Sequence, residues 1–268
     1  MDKSTYLAPQ DVFAPPTAYQ KSAESTAVKA RATSATTRRL FRRRIPANPK
    51  VSVVIPALNE AENLLHVLPL LSKDYEVLLV DGHSVDGTVE VAKYLRPDIK
   101  IVQQQRRGKG NALMDGFSAA TGDIIVMMDA DGSTDPHEIP AYVGALLGGA
   151  DFAKGSRFAQ GGGTADMPIH RRFGNWAFTV LVTIFFGGHY SDLCYGYNAF
   201  WADVVPQLHL QGDGFEIETV MNIRALRAGL RIAEVPSFEA ERIHGVGRLR
   251  TIPDGWRVLK AIFRERFQ

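Results

Sequence analysis

Cysteine occurs once in 268 residues, at Cys194. A single thiol excludes an internal disulfide and any cysteine-based zinc site, and it fits a reducing compartment. Several short enzyme signatures are also missing. No GxGxxG follows the first apolar run and no GxxxxGK[ST] occurs, which argues against a standard dinucleotide fold and against a P-loop. Neither GxSxG nor HExxH is present. No apolar run approaches the ~20 residues that a membrane-spanning helix needs. The N-terminus has no apolar core of signal-peptide type, so export is not expected.

What is present is an ordinary globular composition, 45% hydrophobic and 22% charged, ample for a core. The net charge of +2 hides an asymmetry. Residues 1–44 carry nine Lys/Arg and three Asp/Glu, hence 9 − 3 = +6, which leaves 2 − 6 = −4 for the remainder. Residues 1–48 are rich in Ala, Thr, Ser and Pro without a sustained apolar period, and read as a basic flexible tail ending in RRLFRRR. Such a run is either a solvated tail or an attractor of anionic lipid headgroups. The acidic remainder offers no basic face for nucleic acid, so none is expected as a partner.

From residue 50 the pattern alternates. VSVVIPA (51–57), YEVLLVD (75–81), IKIVQQ (99–104) and DIIVMMD (123–129) read as strands. Segments 59–72, 85–95 and 108–121 between them have helical spacing. Alternation with unbroken apolar strands predicts an α/β fold, a parallel sheet covered on both faces. Ligands in such sheets bind beyond the carboxyl ends of the strands. Polar clusters follow each strand: Asn59 and Glu60, then Asp81 and Asp86, then Arg106, Arg107 and Lys109, then Asp129 and Asp131. All four are expected on one edge of the sheet. Turn chemistry explains one such cluster easily and four on one edge poorly. Asp129-Ala130-Asp131 suits a hard cation, Mg²⁺ or Mn²⁺, which takes one or two carboxylates together with substrate phosphates.

VVIPALNEAENL, LLVDGHSVDGT, RRGKGNALMDGF, VMMDADGSTDP, GSRF and GFEIETVMNIRALRAGLRIAEVP, in this order, resemble the motifs of family 2 glycosyltransferases. More narrowly they resemble the branch of dolichyl-phosphate mannose synthase and related polyprenyl-phosphate glycosyltransferases. The resemblance covers roughly residues 50–250. It implies a GT-A fold (nucleotide-diphospho-sugar transferase) over 49–250, with a mostly parallel central sheet. It also implies inverting, metal-dependent transfer of a hexose from a nucleotide sugar of the GDP-mannose or UDP-glucose type.

By the same resemblance, Pro56, Asn59 and Glu60 border the base and ribose, Asp81 contacts the base, and Lys109 serves the nucleotide or its phosphates. Asp129 and Asp131, with Ala130 between them, hold the metal, and Ser133 is a third metal ligand. Arg157 approaches phosphate. Asp192 lies near the donor sugar, and Asp213, Glu216 and Glu218 near the reaction centre. Arg242, His244 and Arg248 belong to a loop that closes over the diphosphate. Gly82 stands where the family usually has a second Asp, and Gly247 and Arg248 where Ser and Lys are common.

A phosphate acceptor needs cations rather than a general base, because its second pKa is about 6. Arg171, Arg172 and Asn175 in HRRFGNW resemble the family's lipid-phosphate site. The apolar run WAFTVLVTIFF (176–186) follows, either a buried core helix or an interfacial one that guides a lipid tail. Residues 251–268 are expected to form an amphipathic helix on the domain or the membrane surface. The reading is therefore an enzyme using polyprenyl phosphate, cytoplasmic and peripherally attached to the cytosolic membrane face. A hydroxyl acceptor such as a glycan or secondary metabolite, with Asp213 or Glu216 as base, is the alternative. Nucleotide-sugar binding without turnover is a third.

Overall fold

The computed structural model describes residues 45–165 and 167–268. The expected tail up to residue 44, including Arg38–Arg44, lies outside the described residues. The first half alternates as the pattern predicts: β1 (Val51–Ala57), α1 (Ala61–Val67), β2 (Glu76–Asp81), α2 (Thr88–Leu95), β3 (Lys100–Gln103), α3 (Lys109–Ala119) and β4 (Ile124–Met127). Then come α4 (Ile139–Leu147), β5 (Phe152–Ser156), β6 (Gly163–Thr164), α5 (Ile169–Phe186), β7 (Asn198–Trp201), α6 (Val205–Leu208), α7 (Ile217–Arg227), β8 (Ile232–Pro236), β9 (Phe238–Glu239) and α8 (Thr251–Phe267).

Helix boundaries differ from the pattern for identifiable reasons. The helix expected over 59–72 ends at Val67 and tightens into a 3₁₀ turn over Leu68–Leu70, where Pro69 supplies no N–H. The helix expected from 85 starts at Thr88. Before it, the Asp86 carboxylate accepts the Thr88 N–H at 3.0 Å and the Ala61 N–H at 3.0 Å, tying two helix starts together.

The central sheet has seven strands in the order β3-β2-β1-β4-β7-β5-β8. β3, β2, β1 and β4 are parallel neighbours, whereas β7 runs antiparallel to both β4 and β5. β6 and β9 form a separate parallel pair. The reversed strand positions the site. Asn198, where β7 begins, pairs with Met127, where β4 ends. The loop leading into β7 is thereby delivered to the edge at which the parallel strands finish.

The core lies on both faces of the sheet, with Val53, Val54, Ile55, Leu78, Leu79, Ile124 and Phe152 fully buried. Each such side chain contributes about 1.5–3 kcal/mol. α3 sits close on β1 and β2 because Gly116 faces them. A Cβ there would lie 2.4 Å from Val54 Cγ1 and 2.8 Å from Val80 Cγ2. A smaller cluster joins α5, α7 and α8 through Val182, Ile223, Val258 and Ile262. The apolar run 176–186 is the continuation of α5, an 18-residue helix with Arg171 and Arg172 in its first turn. Among the described residues no helix is long and apolar enough to cross a membrane.

Candidate active site

The ends of the parallel strands converge on one cleft of about 500 Å³. Pro56 near the end of β1 and Glu60 after it, Gln104 and Lys109 after β3, Asp129, Ala130, Asp131 and Ser133 after β4, and Arg157 after β5 all line it. The loop before β7 adds Cys194, Tyr195 and Gly196.

Three ion clusters organise the cleft. In the first, Lys109, the opening residue of α3, bridges Asp129 Oδ1 at 2.6 Å and Glu218 Oε1 at 2.7 Å. This needs glycine at 108. Its φ is +104°, and a Cβ would lie 1.9 Å from the Asp213 carbonyl oxygen. Gly196 closes the cluster from above, where a Cβ would sit 2.6 Å from Glu218 Oε1. In the second, Arg242 donates to Asp131 Oδ2 at 3.1 Å and also to both oxygens of Glu60. In the third, Arg157 holds Asp192 through its Nε at 2.7 Å and a second nitrogen at 2.9 Å, and Glu239 at 3.0 Å.

Burial and pairing compete within these clusters. Burial alone would lower the Lys109 ammonium, but Asp129 and Glu218 raise it above its ordinary value. Burial raises the Glu218 carboxyl even though Lys109 opposes it. Burial would also raise Asp192, yet the Arg157 guanidinium holds it below the usual carboxylate range. Glu60 and Asp131 overcome burial to raise Arg242. Burial pushes the Cys194 thiol up to about 12, so it is not a ready nucleophile.

The basic mouth of the cleft is built by the first turn of α5 and the loop that leads into α8. Arg171 donates to the Thr251 hydroxyl at 3.2 Å and to the Leu249 carbonyl at 3.4 Å. Arg248 donates to the Leu58 carbonyl at 2.7 Å. Asn175 also lines the cleft, but its Oδ1 accepts the backbone N–H groups of Leu193 and Cys194, so it shapes the loop before β7.

Other residues expected at the site stand around the cleft rather than in its wall. Asp81 is buried and accepts from the backbone of His83 and Ser84 and from Gln103. Asn59, at a φ of 54°, accepts the Val85 N–H at 2.9 Å and joins the loops after β1 and β2. Asp213 accepts from Asn111, and Glu216 accepts the N–H groups of Asp213 and Gly214, closing that loop. Arg172 is exposed on α5. His244 pairs with His66 at 3.3 Å between Nε2 atoms. Glu239 and Gln104 carried no motif signal. Glu239 comes from a two-residue strand, and Gln104 is the last polar residue of an apolar run.

Two carboxylates two residues apart in the wall of the cleft fit a hard cation. Asp131 Oδ1 accepts from the Ser133 hydroxyl at 2.7 Å, which orients that carboxylate. Among the described residues there is no group of three or more His, Cys, Asp or Glu arranged to hold a metal. The donor set therefore matches a cation shared with substrate phosphates rather than one in a protein cage.

Comparison with known proteins agrees with this geometry. Residues 52–207 match the family described as Glycosyl transferase family 2. The chain is 31% identical over 217 residues to a dolichol-phosphate mannosyltransferase of Pyrococcus furiosus, covering 75% of this chain and 59% of that one. It is 33% identical over 215 residues to an undecaprenyl-phosphate mannosyltransferase of Micrococcus luteus, covering 75% of this chain and 87% of that one. Among solved structures, glucosyl-3-phosphoglycerate synthase from Mycobacterium tuberculosis superposes with a TM-score of 0.65 at 24% identity, over 82% of this chain and 81% of that one. That structure holds Mn²⁺, uridine diphosphate and glucosyl-3-phosphoglycerate. The shared architecture is the GT-A fold.

Proposed function

The chain belongs to glycosyl transferase family 2, and on that premise we propose that it moves a hexose from a nucleotide sugar to a polyprenyl phosphate at the cytosolic face of a membrane. One observation carries the acceptor class. Each carboxylate lining the cleft is engaged by a cation: Asp129 and Glu218 by Lys109, Asp131 and Glu60 by Arg242, Glu239 by Arg157, and Asp254 by Arg257. The cations at the mouth, Arg171 and Arg248, have only neutral oxygen partners among the described residues. A cleft with its acids engaged and its mouth basic suits an acceptor that arrives ionised. A hydroxyl acceptor would require a general base.

The chemistry then needs no proton transfer. A phosphate oxygen of the acceptor forms a bond to the anomeric carbon as the bond from that carbon to the diphosphate breaks. The leaving diphosphate keeps the electron pair, and the configuration inverts. A bound Mg²⁺ or Mn²⁺, held by Asp129 and Asp131, would supply charge neutralisation for the leaving group. Lys109 holds Asp129 in place, and Arg242 pairs with Asp131. Arg248 and Arg171 hold phosphate at the mouth, and Pro56 and Glu60 border the nucleoside.

The test is a transfer assay with labelled nucleotide sugars, polyprenyl phosphate in detergent, and Mn²⁺, Mg²⁺ or EDTA. The expected result is an organic-extractable product from one donor, lost in EDTA. Arg171→Ala with Arg248→Ala should lower transfer about 10²-fold. Donor hydrolysis without lipid product would move the acceptor to a hydroxyl. Neither transfer nor hydrolysis would leave binding without turnover.

A further inference from the structure

The two carboxylates that fit a cation are paired in the same way. Lys109 bonds Asp129 at 2.6 Å and Glu218 at 2.7 Å. Arg242 bonds Asp131 at 3.1 Å and also both oxygens of Glu60. Each basic side chain thus bridges one acid of the Asp129–Asp131 turn to a second acid outside it. The two acids on each bridge differ in depth. The Asp129 side chain is 33% exposed against 7% for Glu218, and Asp131 is 21% exposed against 9% for Glu60. In both arms the acid on the turn is the open one and the second acid is the enclosed one.

The enclosed acids are also fixed in place. Glu218 stands in the first turn of α7 under Gly196, where a Cβ would lie 2.6 Å from its Oε1. Glu60 accepts from Asn63 Nδ2 at 2.6 Å. Asn63 in turn grips the loop of Arg242 through the N–H and the carbonyl of His244. The Phe215 ring, 5.7 Å from the Lys109 ammonium, gives that charge a further partner. Neither basic side chain has to swing to lose its open partner, because it already touches the enclosed one. That contact matters, since a charge left unpaired in an enclosed site is costly. With the four carboxylates ionised the set carries 2 − 4 = −2, the charge that one divalent cation cancels.

We propose that Glu218 and Glu60 are positioning residues of the metal centre, which retain Lys109 and Arg242 when Asp129 and Asp131 give them up for a divalent cation. The bridges hold the two open carboxylates in place beforehand, and the enclosed acids let the bridges yield. The proposal rests on the reading of Asp129 and Asp131 as metal carboxylates. It gives Glu218 and Glu60 a task that requires no contact with the metal.

The test is Mn²⁺ binding to the full chain without donor or acceptor, read by titration calorimetry and by the Mn²⁺ paramagnetic resonance signal. Glu218→Gln keeps the shape of the side chain and removes its charge, which leaves Asp129 as the one carboxylate on Lys109. Mn²⁺ affinity should then fall about tenfold. Lys109→Met should raise the affinity, and adding Glu218→Gln to it should change nothing further, because the competitor is gone. Glu60→Gln with and without Arg242→Met repeats the cycle in the other arm and serves if a variant of the first fails to fold. A loss that persists in the Lys109→Met and Arg242→Met backgrounds would mean that the enclosed acids act by charge alone, and would overturn the proposal. Unchanged affinity in both Glu218→Gln and Glu60→Gln would overturn it too. No Mn²⁺ uptake by the wild-type chain would overturn the metal reading of Asp129 and Asp131 together with the proposal, whereas uptake without coupling overturns the proposal alone.

Discussion

Arg242 occupies the ground between Glu60 and Asp131 that a cation bound at the Asp129–Asp131 turn would share. The guanidinium and such a cation would compete for the Asp131 carboxylate. Arg242→Met should therefore strengthen Mn²⁺ binding in the absence of nucleotide by about tenfold, read by titration calorimetry. The same change should lower transfer about 10²-fold, because the leaving diphosphate loses a cation. Unchanged Mn²⁺ affinity would show that the ion pair does not compete with the metal. The acids were legible here to different degrees. Asp129 and Asp131 stood out as a pair closing an apolar strand. Glu218 came only with its motif, since nothing in GFEIET marks the one acid that turns inward to Lys109. Glu239 was not legible, because its partner Arg157 is 82 residues away and β9 has only two residues.

Between elements, polar side chains staple what the apolar pattern aligns. Glu76, the first residue of β2, accepts from the Thr121 backbone at 2.8 Å and hydroxyl at 2.7 Å, and from Ser52 and Lys100. It joins the start of β2 to β1, β3 and the turn before β4. Burial alone would raise its carboxyl, but these donors lower it from 4.5 to about 2. A depressed folded pKa gives stability that is present above pH 4.5 and lost as pH falls towards 2. Glu76→Gln should cost about 1 kcal/mol at neutral pH after solvent screening. It should also flatten the acid limb of the stability curve, measured by urea unfolding between pH 2 and 6 (roughly the window set by linkage). Wild-type and variant curves that stay parallel in acid would count against this role. The alternation of β1 to β4 with their helices was legible because each segment buries its apolar residues locally on the sheet. β7 was not, since NAFW is four residues long and its direction depends on which neighbours receive it.

For the whole molecule, the cleft couples substrate binding to folding, because its walls come from segments as distant as Glu60 and Arg242. The nucleoside diphosphate of the true donor, with Mn²⁺, should bind the folded chain alone. At a hundredfold excess over Kd it should add about 2.7 kcal/mol. That is roughly 5–10 °C in Tm for a domain of this size. Thermal unfolding with uridine or guanosine diphosphate reads the shift and names the base, and EDTA should remove it. Equal shifts with and without EDTA would separate nucleotide binding from the metal.

The sequence by itself determined the α/β class, the parallel half of the sheet, the carboxyl-edge position of the polar clusters and the family. These rest on local periodicity and on motifs that carry their own spacing. Only the tertiary structure decided which acids meet which bases. It alone showed that Asp213 and Glu216 close a loop while Glu218 faces the cleft. Those outcomes depend on the direction of β7 and on helix faces buried against one another, contacts between residues far apart in the chain that no local pattern encodes.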